Sequence, residues 1–250
     1  MAYKLIKGDT FPEVWENALK VCWQEGVEIR TDLESEFDPP SKDITAMLVV
    51  TKPQKEPVYH RAGFPMSIED LRNYIDGFIG DIKQGPIADA GDTYPHRIID
   101  YKDSYQGGQD RGIDQLQYVI EELKQTGYSK KAQIVLWNPK LDPGNNKDSP
   151  DLIRCWFRIE DNKLNMNLYM CSNDLFKATF ANMMAFFELQ KFVAANLDIE
   201  VGTYCHTADS LHINGSYYEE VESTLETLES RDWEDKTWKT KEIKDLNSRG

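Results

Sequence analysis

The 250-residue chain is long enough to bury one substantial core, and no linker divides it. Its aromatic and aliphatic content argues against disorder, and a formal net charge of -14 argues against general affinity for nucleic acid or an anionic membrane. The N-terminal MAYKLIKGDTF has no apolar signal core, no run approaches the roughly 18 apolar residues of a membrane span, and the four cysteines (Cys22, Cys155, Cys171, Cys205) lack paired-metal spacing, so reduced thiols, no metal and a cytoplasmic setting are expected.

Thr10 to Glu13 reads as a capping box, with Pro12 in the first turn and Phe11, Val14, Trp15, Ala18, Leu19 and Cys22 at helical spacing up to Gly26. Ile44–Thr51 is β-rich. Ser67 caps a second helix whose stripe is Ile68, Leu71, Ile75, Phe78 and Ile82. Residues 83–111, rich in Gly, Asp, Pro and Tyr, read as a long loop region. A third helix is expected from Ile113 to Gln125, with Ile113, Leu116, Ile120 and Leu123 inward. Ala132–Asn138 reads as a buried strand, and Leu152–Ile159 with Leu164–Met170 as a hairpin turning at Asp161-Asn162. Asp174–Leu197 is apolar on nearly every side, as a helix enclosed by the core would be. Glu200–His206 is a further strand and Ser216–Ser230 an acidic amphipathic helix. The fold expected is α+β, one domain over residues 1–230 with a mixed sheet layered with helices, followed by a polar tail over 231–250.

The segment Leu168–Asn214 carries a more specific pattern. Cys171-Ser172-Asn173-Asp174 closes a strand, Asn182 sits in the apolar helix, and His212-Ile213-Asn214 ends a later strand. Upstream stand Tyr94-Pro95-His96-Arg97, Asp114-Gln115, Ser129-Lys130-Lys131 before Trp137, and Ser149-Pro150-Asp151. In that order these resemble the thymidylate synthase and pyrimidine-nucleotide hydroxymethylase family over roughly Met1 to Ser230. The resemblance implies a homodimer formed sheet to sheet, a pyrimidine nucleotide or nucleoside as ligand, and methylenetetrahydrofolate as cofactor.

The same resemblance places Asp151 where the family has its nucleophilic cysteine, which adds to C6 of the pyrimidine and makes C5 nucleophilic. A carboxylate is hard and weakly nucleophilic, so it suits acid, base or oxygen-nucleophile work better than addition to C6. Asp151 and His212 are the candidate catalytic residues. Lys42, Lys130, Lys131, Cys171, Ser172, Asn182 and Asn214 are the candidate nucleotide-binding residues, and Asp174 the candidate cofactor-facing one. Lys42, Lys130 and Lys131 stand for family arginines, although Lys130 and Lys131 read equally as a solvated turn. Lysine keeps the charge but loses the bidentate fork. Cys171 also replaces an arginine; it reads first as a structurally buried thiol and otherwise as a spare thiol whose thiolate a nearby lysine would favour, while Cys155 reads as core. The family's catalytic glutamate has Glu69, Asp76 and Asp81 as candidates, and Tyr94 and Arg97 are expected either on the surface or lining the pocket. Three functions stay open on this reading: a C5 one-carbon transferase with non-standard catalysis, a non-catalytic nucleotide-binding or dimerising relative, and a carboxylate-based nucleotide glycosidase.

Overall fold

The computed structural model describes residues 2–31, 35–61, 67–85, 93–102, 112–143 and 149–247. Strand β1 (Tyr3–Gly8) leads into α1 (Phe11–Glu25), where Thr10 accepts a hydrogen bond from the Glu13 amide and the Gly26 amide closes on the Cys22 carbonyl. The expected capping box is half formed, because the Glu13 carboxylate accepts from the Asp9 amide at 2.7 Å rather than from Thr10. Strands β2 (Val27–Ile29), β3 (Ser41–Val50) and β4 (Tyr59–His60) follow. Helix α2 (Ile68–Gln84) opens with a complete capping box between Ser67 and Asp70 and buries Leu71, Ile75, Phe78, Ile79 and Ile82.

The stretch expected as loop over 83–111 contains the end of α2 and a short helix, α3 (Tyr94–Ile99), capped by Thr93; residues 86–92 and 103–111 lie outside the described residues. A helix of six residues shows too little periodicity to be read from sequence. Helix α4 (Gln115–Gln125) starts later than expected because Asp114 takes the N-cap. Ile113 is therefore outside the helix, 64% exposed, and exchanges main-chain hydrogen bonds with Tyr101. Val119 joins Leu116, Ile120 and Leu123 in the buried stripe. Strand β5 (Gln133–Val135) is shorter than the expected 132–138, since the chain then turns and the Asn138 amide donates to Asp142 at 2.6 Å.

Strands β6 (Leu152–Glu160) and β7 (Lys163–Asp174) form the expected hairpin, with Asp161 and Asn162 at φ 50° and 58°, a conformation these short polar side chains tolerate. Helix α5 (Thr179–Leu197) begins five residues after Asp174. Asp174 instead ends β7 and its carboxylate accepts from the amides of Phe176 and Lys177, at 3.0 and 2.8 Å, shaping the turn into the helix. Strand β8 (Glu200–Ile213) runs past the expected end at His206 and so carries His212 itself.

After a 3-10 turn (Gly215–Tyr217) come α6 (Tyr218–Ser230), α7 (Trp233–Lys236), β9 (Thr237–Trp238) and α8 (Thr240–Asn247). The expected polar tail is thus structured. Strand β9 pairs with β4, Thr237 and Ile243 are buried, and Lys236 donates to buried Glu16 at 3.1 Å. A few anchors suffice to dock a segment whose average composition is polar.

The main sheet runs β1-β3-β8-β7-β6-β5, with β2 also on β3; β1/β3 and β7/β8 are parallel and the remaining pairs antiparallel. It is the expected mixed sheet of an α+β fold. Helices α1 and α5 pack on one face, and α2 packs on α5. The opposite face leaves Tyr3, Leu5 and Met47 exposed. No helix among the described residues is long and apolar enough to cross a membrane.

Candidate active site

The candidate residues gather where β7 and β8 end and β3 and β6 begin. Two irregularities in strand register fall here, between Ile44 and Ala46 on β3 and between Leu152 and Arg154 on β6. Such bulges re-aim side chains beside functional sites. Asp151 immediately precedes β6, and its carbonyl accepts from the Cys171 amide at 2.9 Å. The two side chains meet as well, the Cys171 thiol donating to the Asp151 carboxylate at 3.5 Å, which is a sulfur contact. Burial by its surroundings raises the Asp151 carboxyl above the usual range, offset by the thiol and by nearby His212. Burial and the Asp151 charge together push the Cys171 thiol up to about 11. Burial first, and then Asp151 rather than a lysine, keeps Cys171 a thiol, which disfavours the alternative of a lysine-stabilised thiolate. Cys155 is fully buried, as expected of core, and all four cysteines are free.

His212 stands opposite Asp43 in the β3/β8 register. Its Nδ1 lies 3.2 Å from Ser210 Oγ, and Ser210 in turn donates to Asp43. Because the hydroxyl proton goes to the carboxylate, Ser210 must accept from His212, which puts the imidazole proton on Nδ1 and leaves the Nε2 lone pair available. Burial raises the carboxyl of Asp43 too, offset first by its Ser210 bond. Ser172 lies half-buried on β7, opposite Ser210 of β8.

Asp174 is committed to the local structure. Beyond the two turn amides, it accepts from Asn214 at 3.1 Å, and Asn214 in turn accepts from Ser41 at 3.3 Å. Burial raises the Asp174 carboxyl, offset by those amides and by His212.

Asn182, in a largely apolar helix, finds partners on both sides. It accepts from Tyr74 of α2 at 2.7 Å and donates to buried Asn173 at 3.1 Å. Asn173 continues to His206 at 3.1 Å. Beside Tyr74 lies a cavity of about 490 Å³ whose lining includes Phe78, Asp81 and Tyr94. Of the three candidates for the missing acid, Asp81 is the one at this cavity. Tyr94 sits close enough to the Asp151 loop that burial and the Asp151 charge raise its phenol well above the usual range.

The candidate cations are not aimed at Asp151: Lys42 lies beside Asp43 but is engaged by Trp23, and Lys130 and Lys131 lie before β5. Lys42 donates to the Trp23 carbonyl at 2.6 Å and stacks 4.0 Å from the Trp23 ring centre. Lys130 and Lys131 are exposed just before β5, where the Lys130 carbonyl caps the Trp156 indole. Arg97 is buried in a bidentate pair with Asp142, 2.7 Å on each arm, and is structural. Among the described residues no group of three or more His, Cys, Asp or Glu side chains is placed to hold a metal. Tyr74, Asn173, His206, Asp43 and Ser210 escape the sequence reading, because no spacing rule links residues brought together by sheet register and helix packing.

A mixed sheet is backed by the buried helix that carries Asn182, and His212 stands near the end of β8. The thymidylate synthase family model matches residues 69–248, and the chain belongs to that family. Relatives named "Putative thymidylate synthase" include one from Methanocaldococcus jannaschii, 27% identical over 186 residues that cover 72% of this chain and 79% of the relative. Another, from Methanosarcina mazei, is 25% identical over 90% of this chain and 96% of its own length. A deoxyuridylate hydroxymethyltransferase of Bacillus phage SP01 is 38% identical over 104 residues, 40% of this chain and 27% of that enzyme. The family and these names support a one-carbon transferase of the pyrimidine-nucleotide kind.

Proposed function

We propose that the chain binds a pyrimidine nucleotide between Asp151, Ser172, Asn182 and His212 and transfers a one-carbon unit to C5 without a cysteine thiolate at position 151. The observation that carries this reading is the Asp151–Cys171 contact at the mouth of the site. A carboxylate whose proton affinity is raised by burial is suited to taking and returning a proton. The adjacent thiol, held at about 11, is a weak nucleophile near neutral pH. In this reading His212 offers its Nε2 lone pair to substrate, oriented by Ser210 and Asp43. Asn182 reads the base edge.

Methylenetetrahydrofolate is the cofactor the family implies. The cavity beside Tyr74 suits a flat ring system, since Tyr74, Phe78 and Tyr94 present aromatic surface to it. Folate bound there would supply the one-carbon unit. Asp174, with its oxygens shared among two turn amides and Asn214, shapes the wall rather than contacting folate. A second copy docking on the exposed sheet face of Tyr3, Leu5 and Met47 would complete the assembly, with Lys130 and Lys131 serving the neighbour's phosphate.

A non-catalytic reading is favoured by one observation, the engagement of Lys42 with Trp23. The two readings separate in one assay. The chain is incubated with methylenetetrahydrofolate and dUMP or dCMP tritiated at C5, and tritium release is followed for the wild type and Asp151→Asn. The transferase reading expects release by the wild type and a loss of about 10²–10⁴-fold in the variant. Binding without release, unchanged in Asp151→Asn, supports the non-catalytic reading. Appearance of free base instead assigns glycosidic chemistry.

A further inference from the structure

A chain of polar side chains runs from the pocket through Asn182 into the core, and its inner members, Asn173, His206 and Tyr204, are not used by the Asp151–His212 machinery. Tyr74 donates to Asn182 Oδ1 at 2.7 Å, Asn182 Nδ2 donates to Asn173 Oδ1 at 3.1 Å, and Asn173 Nδ2 meets His206 Nε2 at 3.1 Å. His206 Nδ1 then meets the Tyr204 hydroxyl at 3.2 Å. We infer that His206, acting through Asn173, fixes which way the Asn182 amide faces, and that this fixed polarity makes the pocket discriminate between uracil and cytosine. The inference rests on the nucleotide reading above.

The direction of the chain follows from chemistry. An amide can be turned end for end, and oxygen and nitrogen look alike, so the network must decide. Met170 decides it here. Its thioether sulfur lies 3.3 Å from the same Asn173 atom that faces His206, and a thioether can only accept. That atom is therefore the NH2 nitrogen, which donates to both Met170 and His206. His206 Nε2 consequently accepts, and its ring proton sits on Nδ1, directed at Tyr204. Burial holds His206 neutral, with its pKa down at about 3, so a doubly protonated ring that would reverse the chain is disfavoured. Packing near Phe186 and Tyr204 confines the ring. Asn173 Oδ1 must then accept from Asn182, and Asn182 presents its carbonyl oxygen toward Tyr74.

The consequence concerns the base. Uracil offers an acceptor at O4 and a donor at N3, whereas cytosine offers a donor at the 4-amino group and an acceptor at N3. A freely turning amide matches either edge. A locked one matches one of them and meets the other donor to donor or acceptor to acceptor, leaving buried polar groups unpaired.

Two measurements test this. The ring tautomer of His206 is read by long-range proton–nitrogen correlation in 15N-labelled wild-type protein, with His206→Phe identifying the signal. Affinities for dUMP and dCMP are then measured by calorimetry in both proteins. The expected results are the Nδ1–H tautomer, a preference for one base of about tenfold or more in the wild type, and collapse of that preference to within about threefold in His206→Phe. The Nε2–H tautomer, or a preference that His206→Phe leaves unchanged, overturns the inference. If His206→Phe fails to fold, the other three histidines are assigned by their own substitutions and the wild-type tautomer still decides. Binding of neither nucleotide by the wild type, with the Nδ1–H tautomer in place, removes the nucleotide reading and the base preference while leaving the lock itself intact.

Discussion

Glu16 of α1 should hold the C-terminal segment to the core through its charge. It is almost fully buried and accepts from His60 at 3.3 Å, Lys20 at 2.6 Å and Lys236 at 3.1 Å. Burial alone would raise its carboxyl, but the bonds from His60, Lys20 and Lys236 prevail and bring it from 4.5 to about 2. A carboxyl depressed by that amount in the folded state contributes about 3 kcal/mol, at 1.36 kcal/mol per pH unit. Because the folded value lies below the unfolded one, this contribution is present above pH 4.5 and is lost as the pH falls toward 2. His60, whose pKa burial lowers despite Glu16, adds a separate loss as the pH falls below its ordinary value of 6.5. Glu16→Gln should therefore melt roughly 10 °C below the wild type at pH 7, at about 2–4 °C per kcal/mol for a chain of this size. The difference should narrow steadily below pH 4.5. Hydrogen exchange over Trp233–Ile243 should quicken in the variant, since Lys236 loses its anchor. Wild type and variant melting with the same offset from pH 7 down to pH 2.5 would refute this reasoning.

Three other outcomes follow. Asp142→Asn breaks the buried bidentate pair and leaves Arg97 uncompensated, so chemical denaturation should show a loss of about 3–5 kcal/mol; a loss below 1 kcal/mol would contradict that role. Iodoacetamide should modify Cys171 slowly at pH 7.5 and faster in Asp151→Asn, because the carboxylate that holds the thiol up is gone. Equal rates would remove Asp151 as the cause. Sedimentation should show a dimer at micromolar concentration and a monomer for Leu5→Glu, placed in the exposed face of β1; a monomeric wild type would contradict the shared site.

The regular elements were legible wherever periodicity ran long. The stripes of α1 and α2 and the Asp161-Asn162 hairpin stand where spacing and turn chemistry put them. The misreadings lie at boundaries and in short pieces. Ile113 looked helical by spacing, but the Asp114 cap excludes it, and α8 and β9 dock through a few anchors that a polar composition hides. The site divides in the same way. Asp151, Cys171, Ser172 and His212 were readable as a family pattern and converge at the strand ends. The partners that determine their chemistry were not readable: Ser210 and Asp43 meet across β3 and β8, Asn173 and His206 across β7 and β8, and Tyr74 arrives from α2. Lysine positions were the least legible, since Lys42 satisfies the motif yet spends its charge on a carbonyl and an indole.

The central claim is that a pyrimidine nucleotide binds at Asn182. Calorimetric titration of dUMP and of dCMP into wild-type and Asn182→Ala protein addresses it without presuming turnover. At least one of the two nucleotides should bind the wild type with a measurable heat and lose about tenfold or more in affinity in Asn182→Ala, whose unliganded fold is checked by its melting curve. No heat from either nucleotide at millimolar concentration, or binding that Asn182→Ala leaves unchanged, would contradict the claim.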